Sequence, residues 1–436
     1  MTRIVLVGAG SVEFTRNLLG DILFYPELAE AELVLHDIDA DRLATAERMA
    51  TWTATALGAR PAIRTSLDRR AALDGADVVI DTIQVGGARA TRVDFDVPGR
   101  YGLRYTINDT INVGGVFRGL RSIPVVLGIV RDMEEVCPDA WFLNYTNPMS
   151  MLIKAVTEVS PIRTVGLCHS VHWTVRAIAD YLDVPWEEID HESAGVNHLA
   201  FLLRLERNGE DLYPALRRAL DEGRIPDDDL VRAELFRRLG YYPTESSEHH
   251  AEYNPWFIPR EGLVERFNIP IGEYLSRVDR NLDEFDETKR RLDAGEPFEI
   301  ERSGEYAAVI VHSLATGEPA RIVGNVPNAG GLIPNLDPGA CVEVPCLVDG
   351  LGVHPTATGP LPLQCAAYVR SAIDAQALTV RAALDEDRDA VYHAVMQDPQ
   401  IQARLTLEET WRLTDELIEA ECQWLPPWLG GTATAS

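Results

Sequence analysis

Ile4-Val-Leu-Val-Gly-Ala-Gly-Ser11 is the stretch that decides the fold. Four aliphatic residues in a row suit a strand buried on both faces, as in a parallel sheet. Gly8-Ala-Gly10-Ser11 follows at once, and then an amphipathic pattern runs through Phe14, Leu18, Leu19, Ile22 and Leu23. Strand, glycine turn and helix bring backbone N–H groups to a pyrophosphate at a helix N-terminus, where the dipole favours negative charge. A second strand, Glu32-Leu-Val-Leu-His36, ends on Asp37. That carboxylate can accept from both ribose hydroxyls and repels a 2′-phosphate, which selects NAD over NADP. Position 13 holds Glu13 where a third glycine is usual, so only part of the dinucleotide fingerprint is present.

The alternation continues from there. Residues 42–57 read as a helix, 62–65 as an edge strand and 76–82 as a strand. Gln84-Val-Gly-Gly87 comes next, and its glycines let the backbone pass close to a nicotinamide ribose. Residues 88–121 are of mixed polarity, with Arg92, Asp94, Asp109, Thr110 and Arg118, and read as a long functional loop. A helix is expected over 121–136 with Pro124 in its first turn. A strand over 140–146 ends on Asn147-Pro148, a helix covers 149–159, and the strand Thr164-Val-Gly-Leu167 runs into Cys168-His169-Ser170. This succession predicts an α/β fold with a doubly wound parallel sheet.

Past Trp186 the pattern changes. Residues 198–207 alternate like an antiparallel strand, and 215–239 are helical with a break near Pro226. Thr244-Glu-Ser-Ser-Glu-His-His-Ala-Glu-Tyr253 is dense in ionisable groups, and a charged helix follows over 273–294. Residues 341–346 read as a strand whose Pro345 breaks the ladder, with Cys341 and Cys346 flanking a sheet edge. Helices are expected over 363–384, 388–396 and 407–422. The division that follows is a dinucleotide-binding domain over 1–190, an α+β domain over 191–430 and a frayed tail over 431–436.

Composition bounds the function. The chain has 436 residues, 46% of them hydrophobic and 25% charged, as in a soluble globular protein. A formal net charge of -28 repels nucleic acid and anionic lipid, which removes both as partners. Six cysteines without a close CxxC pair suit reduced thiols in a cytoplasm. Met-Thr-Arg runs straight into the first strand, so no secretion signal is expected. No apolar run approaches the ~18 residues of a membrane span.

Cys168 stands at the end of a predicted parallel strand, where open α/β sheets bind ligands. Gly195-Val-Asn-His198 supplies an imidazole at the start of another strand. Taken alone, the two read as a buried thiol and a hydrogen-bonded histidine at least as readily as a partial metal site.

The motifs together carry more. Gly8-Ala-Gly-Ser11, Asn144-Tyr-Thr-Asn-Pro-Met149, Val165-Gly-Leu-Cys-His-Ser170, Gly195-Val-Asn-His198 and Glu245-Ser-Ser-Glu-His249 through Trp256 resemble glycoside hydrolase family 4. Within it they resemble the α-galactosidase (melibiase) branch, and the likeness reaches Trp424-Leu-Pro-Pro-Trp428. The resemblance implies a Rossmann-like domain akin to lactate and malate dehydrogenases, followed by an α+β domain. It implies NAD and a divalent metal, commonly Mn²⁺, in a hydrolysis that departs from the paired-carboxylate scheme. The sugar is oxidised at C3, deprotonated at C2, loses its aglycone by elimination, adds water and is reduced again.

The same resemblance assigns residues. Cys168 and His198 are the metal pair and His169 the general acid. Tyr253 is the C2 base, with Glu252 or Glu248 as alternatives. Asn147 and Arg302 meet the sugar, while Gly8, Gly10, Ser11, Asp37 and Gln84 bind the cofactor. Cys168-His-Ser170 resembles the version found in enzymes acting on α-galactosides. The same chemistry on α-glucosides, α-glucuronides or galacturonides is the alternative. A 2-hydroxy acid dehydrogenase on this fold is another, and there Cys168 and His198 would be idle. The expected partner is a small glycoside, with the chain in a homo-oligomer, a dimer or tetramer.

Overall fold

The computed structural model describes residues 2–432, apart from the side chains of Val12 and Glu13. Part of the expected tail, 433–436, lies outside the described residues. The strands are β1 (Arg3–Val7), β2 (Glu32–His36), β3 (Ala62–Ser66), β4 (Val78–Asp81), β5 (Trp141–Asn144) and β6 (Arg163–Gly166) in the first part. They continue as β7 (Ile189–Val196), β8 (Leu199–Arg207), β9 (Glu210–Asp211), β10 (Ala320–Pro327), β11 (Cys341–Asp349) and β12 (Gly352–Pro355).

The aliphatic runs behave as their composition demands. Ile4, Val5 and Leu6 of β1 and Val79 and Ile80 of β4 are fully buried, because helices cover both faces of the sheet. The first six strands are parallel in the order β3-β2-β1-β4-β5-β6, the doubly wound arrangement. The sheet does not stop there. β10 adds antiparallel to β6, and β11, β7, β8 and β9 follow, so both halves of the chain share one sheet. Residues 190 and 191 are consecutive positions within β7.

Three expectations fail. Residues 88–121 are no long loop: a helix spans Gly87–Arg100 and another begins at Val113, leaving 101–112 between them. Most of the polarity that suggested a loop is buried and paired. Arg121 donates to Asp94 at 2.6 and 3.0 Å and to Glu421 at 2.8 Å. The glycines that suggested a loop serve close approach: a Cβ on Gly114 would sit 2.3 Å from the Asn108 carbonyl, and one on Gly115 2.4 Å from Thr110. Only glycine lets segment 108–110 lie against this helix, which is how Asp109 and Thr110 reach the site described below. Pro124 accordingly falls inside the helix Val113–Val136.

Second, that helix is long and apolar enough to cross a membrane, contrary to the expectation that no run approaches this. It is a core helix, with 89% of its apolar window buried in the protein. Third, β11 is internal, between β10 and β7, so Cys341 and Cys346 do not flank an edge. Pro345 is accommodated there, paired in register with Val323.

Candidate functional site

Two strand ends and one short helix converge. The chain leaves β6 at Gly166 and presents Cys168 and His169 just beyond it, at the C-terminal end of the parallel strands. His198 lies in the two-residue turn joining β7 to β8, at φ +64°. Glu245 also has a left-handed backbone, φ +70°, just before the helix Ser247–Glu252. Left-handed φ is uncommon outside glycine and costs roughly 1–3 kcal/mol, so strain at two touching residues marks a site that the surrounding structure holds in place.

His198 Nε2 lies 3.5 Å from Glu245 Oε2, and Cys168 Sγ lies 3.9 Å from the same oxygen. The Cys168, His198 and Glu245 donor atoms all lie within 4.8 Å of one another, and so do those of Asp109, His198 and His249. His249 Nδ1 is 3.4 Å from Glu245 Oε1, and its Nε2 is 3.9 Å from Asp109 Oδ1. The other nitrogen of His198 meets Thr110 Oγ1 at 3.0 Å and the Tyr253 hydroxyl at 3.4 Å. The helix Ser247–Glu252 explains part of this, because His249 and Tyr253 are four residues apart and share a face. Asn147 donates to Asp109 Oδ2 at 3.3 Å, and Arg118 reaches the same oxygen at 3.5 Å.

The electrostatics suit a cation. Burial would raise Asp109, but Arg118, His249 and His198 outweigh it and hold its carboxyl below the usual range. Burial would also raise Glu245, yet His198, His249 and His169 bring it down to about 2. Burial lowers His198, which keeps the imidazole neutral and able to ligate. Burial, then the charges of Glu245 and Glu343, push the Cys168 thiol well up. Burial, then Asp109 and Glu252, do the same to the Tyr253 phenol. A sulfur, a neutral imidazole and a carboxylate gathered around strained backbone form a mixed donor set for a divalent metal. Cation charge there would reverse the field that raises Cys168 and Tyr253.

Of the predicted residues, the structure brings together Cys168, His198, Tyr253, Asn147 and, beside them, His169. His169 Nδ1 meets Glu305 at 3.1 Å. The alternatives to Tyr253 do not enter the cluster. Glu252 spends both oxygens on Thr106 N–H, Thr106 Oγ1, Ile107 N–H and Asn108 N–H at 2.8–3.0 Å, fixing the 106–108 segment. Glu248 turns to Arg277 at 3.3 Å. Arg302 is exposed and lies over the rings of Phe24 and Tyr25.

The predicted cofactor residues lie around the β1 end and the loop after β4. Gly8 has φ +86°, and a Cβ there would sit 2.9 Å from the Thr82 carbonyl carbon. Gly10 N–H donates to Asp37 Oδ2 at 2.8 Å. Ser11 caps the helix Val12–Leu23 without a side-chain bond, leaving the first N–H groups to an anion. Gln84 is exposed in the loop after β4 and donates to Thr91 at 3.1 Å.

Asp109, Glu245, His249 and Glu305 had no assigned role in the sequence reading. Glu245 and His249 lay inside a quoted motif, and their dense ionisable setting was the available signal. Asp109 was named only as part of the false loop, and nothing local marks Glu305.

Residues 3–184 match the description "Family 4 glycosyl hydrolase", and residues 193–401 match its C-terminal domain. The chain belongs to glycosyl hydrolase family 4. It is 42% identical to an α-galactosidase of Bacillus subtilis (strain 168), over 98% of this chain and 99% of that one. It is 36% identical to an α-galactosidase of Rhizobium meliloti (strain 1021), over 97% and 89%. The fold superposes with a TM-score of 0.84 on a 6-phospho-α-glucosidase from gut microorganisms in complex with NAD and Mn²⁺, at 21% identity, covering 98% of this chain and 99% of that one. Membership makes this family 4 protein a glycoside hydrolase on a Rossmann-like α/β fold with a C-terminal domain.

One acid-stability consequence arises beside the cluster. His250 is fully buried, with Nε2 against the Thr244 carbonyl at 2.7 Å and Nδ1 against the Tyr368 hydroxyl at 3.0 Å. Burial, only partly offset by the Thr244 bond, lowers it to about 3. The unfolded chain takes a proton near its ordinary pKa of about 6.5 that the folded one refuses. Stability from this residue is complete above that pH and is lost as pH falls towards 3. His250→Gln should therefore flatten the acid-side fall in unfolding free energy by ~1.4 kcal/mol per pH unit. Denaturant titrations between about pH 6 and about pH 4 read this directly. Equal slopes in both proteins would contradict it.

Proposed function

We propose that this protein hydrolyses α-galactosides with NAD and a divalent metal such as Mn²⁺. The observation that carries the reading is the convergence of Cys168, His198 and Glu245 donor atoms within 4.8 Å. They gather at the same sheet end as the Gly8–Gly10 turn. Residues 1–190 supply the nucleotide cradle, and 191–430 close the sugar site over it. Gly8, Gly10, Ser11 and Asp37 hold the dinucleotide, with Gln84 near its nicotinamide end. Cys168 and His198 hold the metal, and Glu245 completes the donor set.

When bound, NAD supplies reversible hydride abstraction at the sugar's C3, and the metal supplies Lewis-acid polarisation of neighbouring oxygens. The chain does the proton work. Tyr253 takes the C2 proton at its phenolic oxygen. His169 holds a proton for the glycosidic oxygen as the aglycone leaves. Partial burial would lower His169, but the Glu305 contact and charge outweigh it and leave it raised, which suits an acid. Asn147, tied to Asp109, orients a sugar hydroxyl.

Charge supports a neutral sugar. Among the described residues, the two guanidinium groups touching the cluster are committed, Arg118 to Asp109 and Tyr274, Arg232 to Asp229 and Thr174. Carboxylates Asp109, Glu245 and Glu305 line the rest, so a phosphate or uronate meets repulsion. Cys168-His-Ser170 and two α-galactosidase relatives favour galactose over glucose. The protein is read as cytoplasmic and as a homo-oligomer, with six cysteines that are all free thiols.

A panel of p-nitrophenyl α-galactoside, α-glucoside and α-galacturonide, with NAD⁺ and Mn²⁺ present, tests the assignment. The galactoside should lead in kcat/KM by at least ~100-fold. A lead by either of the others would overturn it.

A further inference from the structure

His169 is held from one side only. Its Nδ1 lies 3.1 and 3.2 Å from the two oxygens of Glu305, and no other side chain among the described residues hydrogen-bonds the ring. The imidazole is 43% exposed, whereas Glu305 is nearly buried. Glu305 is itself fixed from behind. Its backbone N–H donates to Asp21 Oδ2 at 2.7 Å, and Asp21 also accepts from Ser303 N–H and Ser303 Oγ at 2.8 Å. Asp21 is 1% exposed and lies on Val12–Leu23, the helix that starts at the nucleotide turn. Phe14 and Tyr145 pack against the imidazole, with ring centroids 6.3 and 6.1 Å away.

We infer that Glu305, anchored by Asp21, is a positioning residue for His169: it binds Nδ1–H, fixes the ring plane and leaves Nε2 to face the glycosidic oxygen. This rests on the acid role proposed for His169. As the bond from C1 breaks, its electron pair stays on the aglycone oxygen and the Nε2 proton caps it. A hydrogen-bonded carboxylate behind a histidine selects the tautomer and orientation of the catalytic nitrogen. The inference also explains why a buried carboxylate 136 residues away in sequence meets His169. A link from the nucleotide-side helix through Asp21 to the acid places both halves of the reaction on one rigid frame.

Leaving-group dependence tests this, because aryl oxides of low basicity depart without a proton and alkoxides do not. The glycone is whichever hexose the wild-type protein releases fastest. An error in the galactoside assignment therefore changes the glycone and leaves the comparison intact. Glu305→Ala should lower kcat on the methyl glycoside about 100-fold and on the 2,4-dinitrophenyl glycoside less than about 3-fold, with KM unchanged. Glu305→Gln, which keeps an acceptor for Nδ1–H, should recover at least about 10-fold on the methyl glycoside. It also carries the same two-substrate comparison against wild type if the alanine variant fails to fold. Equal losses on both substrates, or no loss on either, would overturn the inference.

Discussion

Cys168→Ser should weaken metal binding and hydrolysis together. In the proposed metal site the sulfur is the soft donor and would bind as a thiolate once a divalent cation lowers its pKa. Serine offers a protonated hydroxyl of similar shape that stays neutral at any working pH. Affinity for Mn²⁺, measured by calorimetry on the purified protein, should fall by at least ~100-fold. The kcat/KM should fall by ~1,000-fold or more, about 4 kcal/mol of transition-state stabilisation. The fold should survive, because Cys168 is only partly buried and its hydrogen bond to Glu245 is 3.9 Å long. Retention of both metal and activity would remove Cys168 from the site.

Tyr253→Phe should behave differently. It removes one oxygen from a buried ring without opening a cavity, so packing in the core persists. The hydroxyl is 3.4 Å from His198 Nδ1, on the far side of the imidazole from the nitrogen that faces Glu245. Metal affinity should therefore stay within about 3-fold. Loss of a proton acceptor should lower kcat by ~100- to 10,000-fold. Separation of the two readouts identifies Tyr253 as the base. A variant with nearly full activity would transfer that role to another group, and Glu252 is an unsuited one, since its oxygens already bind three backbone N–H groups.

Much of this was legible because local rules and global packing agree. The run Ile4-Val-Leu-Val7 with its glycines and Asp37 defines a strand, a turn and an acid that accepts from the turn's Gly10 N–H. Met149–Val159 and Glu273–Ala294 fold over the residues that their periodicity marks. What escaped had non-local causes. The span 88–121 looked like a loop because Arg118, Arg121 and Asp94 are charged, and charge usually marks surface. Their pairing partners, among them Glu421 from the far end of the chain, are invisible locally. Glu245 was marked in sequence only by its dense ionisable setting, and its contact with His198 and Cys168 is a product of the fold. Glu305 is an ordinary glutamate in sequence, and only a histidine brought from 136 residues away gives it significance.

The central claim is that this glycoside hydrolase cleaves its substrate by removing the C2 proton rather than by direct displacement at C1. Turnover of p-nitrophenyl α-galactoside in D₂O with NAD⁺ and Mn²⁺ tests it most directly, read by NMR of the released hexose. One deuterium at C2 is expected, and no turnover when either NAD⁺ or Mn²⁺ is withheld. A hexose that keeps its C2 hydrogen, released at the same rate without NAD⁺, would contradict it.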